Sequence, residues 1–138
     1  MHISATIKNA EQRNDIIVST DATEKLIDIP AKSTGSGSAV NGGELLFLAL
    51  ATCCCNDVYR EAAKRKMKIN SVEVTVSGEF GKEGDPGSNI VNEVKVAAPE
   101  HTQQEIAGLI QYVDQVAEVH NTLRQGASVT LKENYPGL

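Results

Sequence analysis

The stretch ELLFLALATCCCNDVYREAAKRKM, residues Glu44–Met67, decides how the rest of this 138-residue chain is read. It holds no proline or glycine and is dominated by Leu, Ala, Glu, Lys and Arg, the composition a long helix needs. Asn41 or a following glycine is the expected cap. The first half, Leu45 to Cys55, is apolar on every face, whereas the second half carries Asp57, Arg60, Glu61, Lys64, Arg65 and Lys66. A helix that is apolar all round has to be buried all round. Cations in the last turn and at Lys68 suit the negative end of the helix dipole. The apolar run is 11 residues, well short of the roughly 20 that span a bilayer.

Working outward, Ile3, Ala5, Ile7, then Ile16-Ile17-Val18, then Leu26, Ile27 and Ile29 up to Pro30 predict three short antiparallel strands. Turn chemistry separates them at Asn9 to Asp15 and at Thr20 to Thr23. Thr34 to Gly43 is rich in Gly and Ser between structured segments, and is expected to be a flexible internal loop and not a domain linker. Beyond the helix, Val72, Val74 and Val76 alternate with polar residues without a slip, and Ile90 to Val96 follows after a Gly81–Asn89 turn, so a β-hairpin is expected. Thr102 and Glu105 have capping-box spacing, and Ile106, Leu109, Ile110, Val113 and Val116 form a helical stripe. Gly126 leads into an expected last strand, Ala127 to Lys132. The order βββ-α-ββ-α-β groups its strands and helices, which argues for an α+β class and a single domain over residues 1–138.

Composition narrows the function. The net charge is −5 and the longest basic run is Lys64-Arg65-Lys66, so no electrostatic footprint for nucleic acid is present. Aromatic residues make up 4% with no Trp, leaving little from which to build a stacking platform. The three cysteines are contiguous, Cys53-Cys54-Cys55, which is no disulfide framework. The first residues show no basic region followed by an apolar stretch, so neither a signal peptide nor a membrane segment is expected, and a reducing cytoplasm is the expected location.

On spacing alone, three cysteines on an apolar helix need no function, because free cysteine behaves as a small hydrophobe. Adjacent helical residues point about 100° apart and cannot converge on one ion. A disulfide within the triplet is disfavoured as well, since neighbouring Cα atoms lie about 3.8 Å apart. His2, His101 and His120 stand at no recognisable nucleophile spacing, and the glycines of the loop spell no phosphate-binding motif. No cofactor or metal is expected.

Asn41-Gly42-Gly43-Glu44-Leu45-Leu46, followed after seven residues by Cys54-Cys55-Asn56-Asp57-Val58, resembles the central helix of the OsmC/Ohr family of hydroperoxide-resistance proteins. That helix runs N-P-x-E-L-L, small and apolar residues, A-C, and then an aspartate four residues after the cysteine with Val beside it. Counted from Glu44 or from Asp57, the family's peroxidatic cysteine falls on Cys53. The V-x-V-x-V-x-G strand from Val72 to Gly78 and the segment ending Asn121-Thr122-Leu123 keep the family order, so the likeness covers essentially the whole chain. It implies an OsmC-like fold with a long buried central helix, assembled as an intertwined homodimer. It also implies a peroxidase that reduces organic hydroperoxides or hydrogen peroxide through a Cys53 thiolate. The family's cation comes from an arginine in the N-terminal strands held by a glutamate near the helix start. Arg13 is the only arginine before the helix, and its distance to Asp21 fits the family pattern. Arg13 and Glu44 therefore join Cys53 as the catalytic set that the resemblance implies.

Three positions depart from the pattern. Gly43 stands where better-known members carry the glutamate, Gly42 replaces the motif proline, and no cysteine lies near Ala117, where the resolving thiol belongs. An oxidised Cys53 would then need an external thiol or dithiol reductant. The alternative is a dimer of this fold that has lost the redox cycle and serves as a small-ligand binding or structural protein.

Overall fold

The computed structural model describes residues 1–134, and the chain divides into two units, Met1–Leu46 and Phe47 onward. The first unit is an antiparallel sheet of order β1-β2-β3, formed by β1 (Ile3–Ala10), β2 (Arg13–Thr20) and β3 (Thr23–Leu26). β1 and β2 pair from Ile3↔Thr20 to Ala10↔Arg13, so the strands extend further than the alternating isoleucines suggest. The hairpin turns on Glu11 and Gln12, both at positive φ (53° and 57°), the backbone of a twisted two-residue turn. The Thr34–Gly43 loop, expected to be flexible, is tied to this sheet. The Asn9 side chain both donates to the Gly37 carbonyl and accepts from its N–H, and Ala31 bridges Ser38.

The long helix α1 (Gly42–Lys64) starts at a reciprocal cap. Asn41 Oδ1 accepts from the Glu44 N–H at 2.8 Å, and Glu44 Oε1 accepts from the Asn41 N–H at 3.0 Å. At its other end Lys66 takes a left-handed φ of 56°, with Met67 N–H donating to Ala62 and Lys66 N–H to Ala63. This is a Schellman closure whose left-handed residue is not the usual glycine.

In the second unit β4 (Ser71–Glu79) and β5 (Ser88–Ala97) form the expected hairpin. The register sets Val72 opposite Val96 and Val74 opposite Val94, and these four valines pack on a core of Cys54, Val58, Ala62, Leu109 and Val113. α2 (Gln103–Val116) begins at the Thr102–Glu105 capping box and supplies Leu109 and Val113, four residues apart on one face. The glycine ending the V-x-V-x-V-x-G strand has a steric reason. A Cβ on Gly78 would lie 2.8 Å from the Phe47 ring and 3.2 Å from Ile90.

Three expectations are corrected. The apolar first half of α1 is not enclosed on all sides in the chain: Leu48 is 60% exposed, and the buried stripe Leu50, Cys54, Val58, Ala62 runs into the charged half. A hairpin covers one face of a helix, so burial follows the i, i+4 stripe and not the density of apolar residues. The last helical segment is two helices, because Ala117 is extended (φ −69°, ψ 105°) and starts α3 (Glu118–Gln125). No strand forms at 127–132. Val129 and Leu131 are 96% and 82% exposed, and the segment joins neither sheet, whereas a strand requires backbone pairing along an edge.

Two substitutions test this packing. Gly78→Ala should lower stability by about 1–3 kcal/mol through overpacking against Phe47, read as a drop in the urea midpoint. Lys66→Gly should raise it by about 0.5–1 kcal/mol by relieving the left-handed residue.

Candidate functional site

Cys54 occupies the core, and the 100° step between helical neighbours turns Cys53 to a different face, where it is half-buried. That face carries Asp57 one turn on and Arg60 two turns on. The α2–α3 corner brings Glu118 and Val119 to the same place. The Cys53 thiol has Asp57 Oδ2 at 3.7 Å and Glu118 Oε2 at 3.9 Å as acceptors, and the Val119 backbone N–H donates to the sulfur. Val119 lies in the first turn of α3, so the sulfur receives one of the N–H groups that a helix start leaves free. The corner that holds Glu118 is braced by Arg124, whose guanidinium bonds the Asp114 carboxylate at 2.7 Å and the Asp114 carbonyl at 3.0 Å.

One guanidinium organises the acids. Arg60 lies 3.1 Å from Asp57, 2.8 Å from Glu61 and 3.4 Å from Glu118, and Lys64 adds a second cation on Glu61 at 3.0 Å. Asp57 and Glu61 are almost fully buried, so both need these partners.

The electrostatics run against a resting thiolate. Burial pushes the Cys53 thiol above its ordinary value; the Val119 N–H opposes this, while the Asp57 and Glu118 carboxylates add to it. Burial, followed by the Glu118 charge, also raises Asp57, with Arg60 pulling the other way. Glu118 is lowered, first by its own backbone N–H and then, against some burial, by Arg60. Cys53, Asp57 and Glu118 place their ligand atoms within 4.8 Å of one another, a spacing a cation could bridge, but Arg60 already occupies both carboxylates.

The other residues singled out in the sequence lie in the first unit. Arg13 opens β2, its side chain is 76% exposed, and it pairs with Asp15 at 3.3 Å and not with Glu44. Glu44 gives one oxygen to the Asn41 cap. Sequence reasoning uses Asp57 only as a register marker and passes over Arg60, although the spacing Cys53, Asp57, Arg60 (i, i+4, i+7) places all three on one helical face. Glu118 carried no local signal, because only the turn at Ala117 brings it to the sulfur. Cys54 is 3% exposed, and Cys55 is half-buried beside Val74 on a different face.

A half-buried thiol on a long helix, packed on a β-hairpin in an α+β chain, defines a cysteine-centred protein of OsmC-like architecture. The family model for OsmC-like proteins matches residues 35–132, and the chain belongs to that family. Among solved structures it is similar to an OsmC-like protein from Mycoplasma pneumoniae, with a TM-score of 0.62 and 22% identity over 89% of this chain and 86% of that one. It is also similar to an organic hydroperoxide resistance protein from Elizabethkingia anophelis, with a TM-score of 0.58 and 20% identity over 90% and 89% of the two chains. A third likeness is to an organic hydroperoxide resistance protein OsmC from Legionella pneumophila, with a TM-score of 0.56 and 18% identity over 90% of each chain. No curated protein matches the sequence. No helix among the described residues is long and apolar enough to cross a membrane.

The charge balance around the sulfur makes a directional prediction. Wild-type Cys53 should alkylate with iodoacetamide more slowly at neutral pH than a free thiol, with the rate rising only on the alkaline side of the ordinary thiol range. Asp57→Asn removes a negative charge beside the sulfur and should speed the reaction several-fold at pH 8, read by mass spectrometry of the peptide bearing residue 53.

Proposed function

We propose that this protein is a thiol-dependent peroxidase that reduces organic hydroperoxides or hydrogen peroxide at Cys53. The observation that supports the reading is the half-buried Cys53 thiol lying against Glu118 and Val119, beside the Ala117 position where the resemblance expects a second thiol. The relatives named for organic hydroperoxide resistance support the substrate class.

In this mechanism Asp57 takes the thiol proton, a role that its raised affinity for a proton favours, and the Val119 N–H stabilises the thiolate. The thiolate attacks one peroxide oxygen and the O–O bond breaks. Sulfur gains oxygen as a sulfenic acid, and the proton on Asp57 passes to the departing alkoxide, releasing an alcohol, or water when hydrogen peroxide is the substrate. Ala117 stands where a resolving cysteine would belong, so an external thiol attacks the sulfenic acid and releases water. A second thiol, or the other half of a dithiol, then frees Cys53 and leaves as a disulfide.

The reading assigns Arg13 as the mobile countercharge of the thiolate and Glu44 as the carboxylate that holds it, both acting in an assembled homodimer of single-domain chains in the cytoplasm. Apolar side chains left exposed in the chain support assembly: Ile3 at 61%, Ile7 at 54%, Leu48 at 60% and Val129 at 96%.

The test is consumption of cumene hydroperoxide with dithiothreitol as reductant. Cys53→Ser should fall to the uncatalysed rate while Cys54→Ser and Cys55→Ser keep activity; equal turnover by wild type and Cys53→Ser would overturn the reading. A second reading, an OsmC-like protein without a redox cycle, draws on the burial and the two carboxylates that raise the Cys53 thiol above its ordinary value. Trapping a sulfenic acid on Cys53 after stoichiometric peroxide favours the first reading, and an unmodified Cys53 the second.

A further inference from the structure

A cavity of about 440 Å³ opens in the second unit between α1, the start of β5 and the α2–α3 corner. Its volume falls in the range of roughly 300–1,000 Å³ typical of small-molecule sites. Cys53, Asp57 and Glu118 are not among its lining residues, so it is distinct from the thiol site. Its wall holds an unusual pair of orphans. His120 is 6% exposed, and neither ring nitrogen finds a hydrogen-bond partner among the described residues. The Asn92 side chain, on β5, bonds the Cys54 thiol but leaves its buried Oδ1 without a partner. Buried polar atoms are nearly always satisfied, so two such residues on one cavity call for a partner.

The wall also restricts the partner's charge. Arg124 is committed to Asp114, 2.7 Å from its carboxylate and 3.0 Å from its carbonyl, with Asn121 Oδ1 at 3.2 Å. The ion pair cancels, so an anion would meet the Asp114 carboxylate and a cation would have to displace Arg124. Burial and Arg124 both favour the neutral imidazole, which offers one N–H and one lone pair. The remaining wall is apolar, from Leu50, Ile90 and Leu123.

We propose that this cavity binds a small uncharged amphiphile, with an apolar body against Leu50, Ile90 and Leu123 and a hydroxyl head that donates to Asn92 Oδ1 and accepts from the His120 N–H. Binding here does not depend on the peroxidase reading.

The full-length protein, labelled with ¹⁵N, is titrated with 1-hexanol while the His120 ring signals are followed, and the affinity is compared with that for hexanoate. Hexanol should shift the ring signals saturably, hexanoate should bind at least tenfold more weakly, and Cys53→Ser should bind hexanol as wild type does. His120→Phe, which keeps the bulk but loses both ring nitrogens, should weaken hexanol at least fivefold. The proposal is overturned if hexanol gives no saturable shift, as expected where water alone satisfies the two residues. Equal affinity for hexanoate, loss of binding in Cys53→Ser, or unchanged affinity in a folded His120→Phe would also overturn it. The alcohol–carboxylate comparison is made on wild type, so it stands even if the variant fails to fold.

Discussion

The second unit depends on one contact surface, the stripe Cys54, Val58, Ala62 of α1 against the paired valines of the β4–β5 hairpin and Leu109 and Val113 of α2. A stripe at i, i+4 fixes the rotation of a helix about its own axis. Once Cys54 is in the core, Cys53 has no choice of direction. Its surroundings follow from that rotation, as does the burial of Asp57 and Glu61, which flank the stripe and would be costly there without Arg60 and Lys64.

The same rotation explains why the site has an unexpected polarity. A thiol is activated by a cation that lowers its proton affinity, yet the groups nearest the Cys53 sulfur are two carboxylates and a single backbone N–H. The guanidinium nearest the cluster is divided among three acids, which limits what it can do for the sulfur. Burial and these carboxylates raise the proton affinity of the thiol, and Asp57 stands one helical turn away.

Much of the fold was legible because its signals were local. The unbroken alternation of Val72, Val74 and Val76, the Thr102–Glu105 cap and the proline-free helix each state their structure within a few residues. The family likeness was legible in the helix for the same reason. What escaped was set by packing. Ala117 ends one helix and starts another without Gly or Pro to announce it, and Ala127 to Lys132 has the pattern of a strand but joins neither sheet. Arg60 counted only as one of the charges in the second half of the helix, when burial of Asp57 and Glu61 makes it the centre of an ion-pair cluster. His120 read as an ordinary histidine, because nothing local tells a buried, unpartnered ring from a solvated one.

The cysteine triplet also equips the molecule with an internal gauge. Three identical nucleophiles stand on consecutive residues of one helix, yet Cys54 is sealed in the core while its neighbours are half-exposed. Modification at 54 requires the core face of α1 to be uncovered, whereas modification at 53 or 55 requires only local access. The labelling rate at Cys54 relative to that at Cys55 therefore reads out the free energy of uncovering the core face of α1.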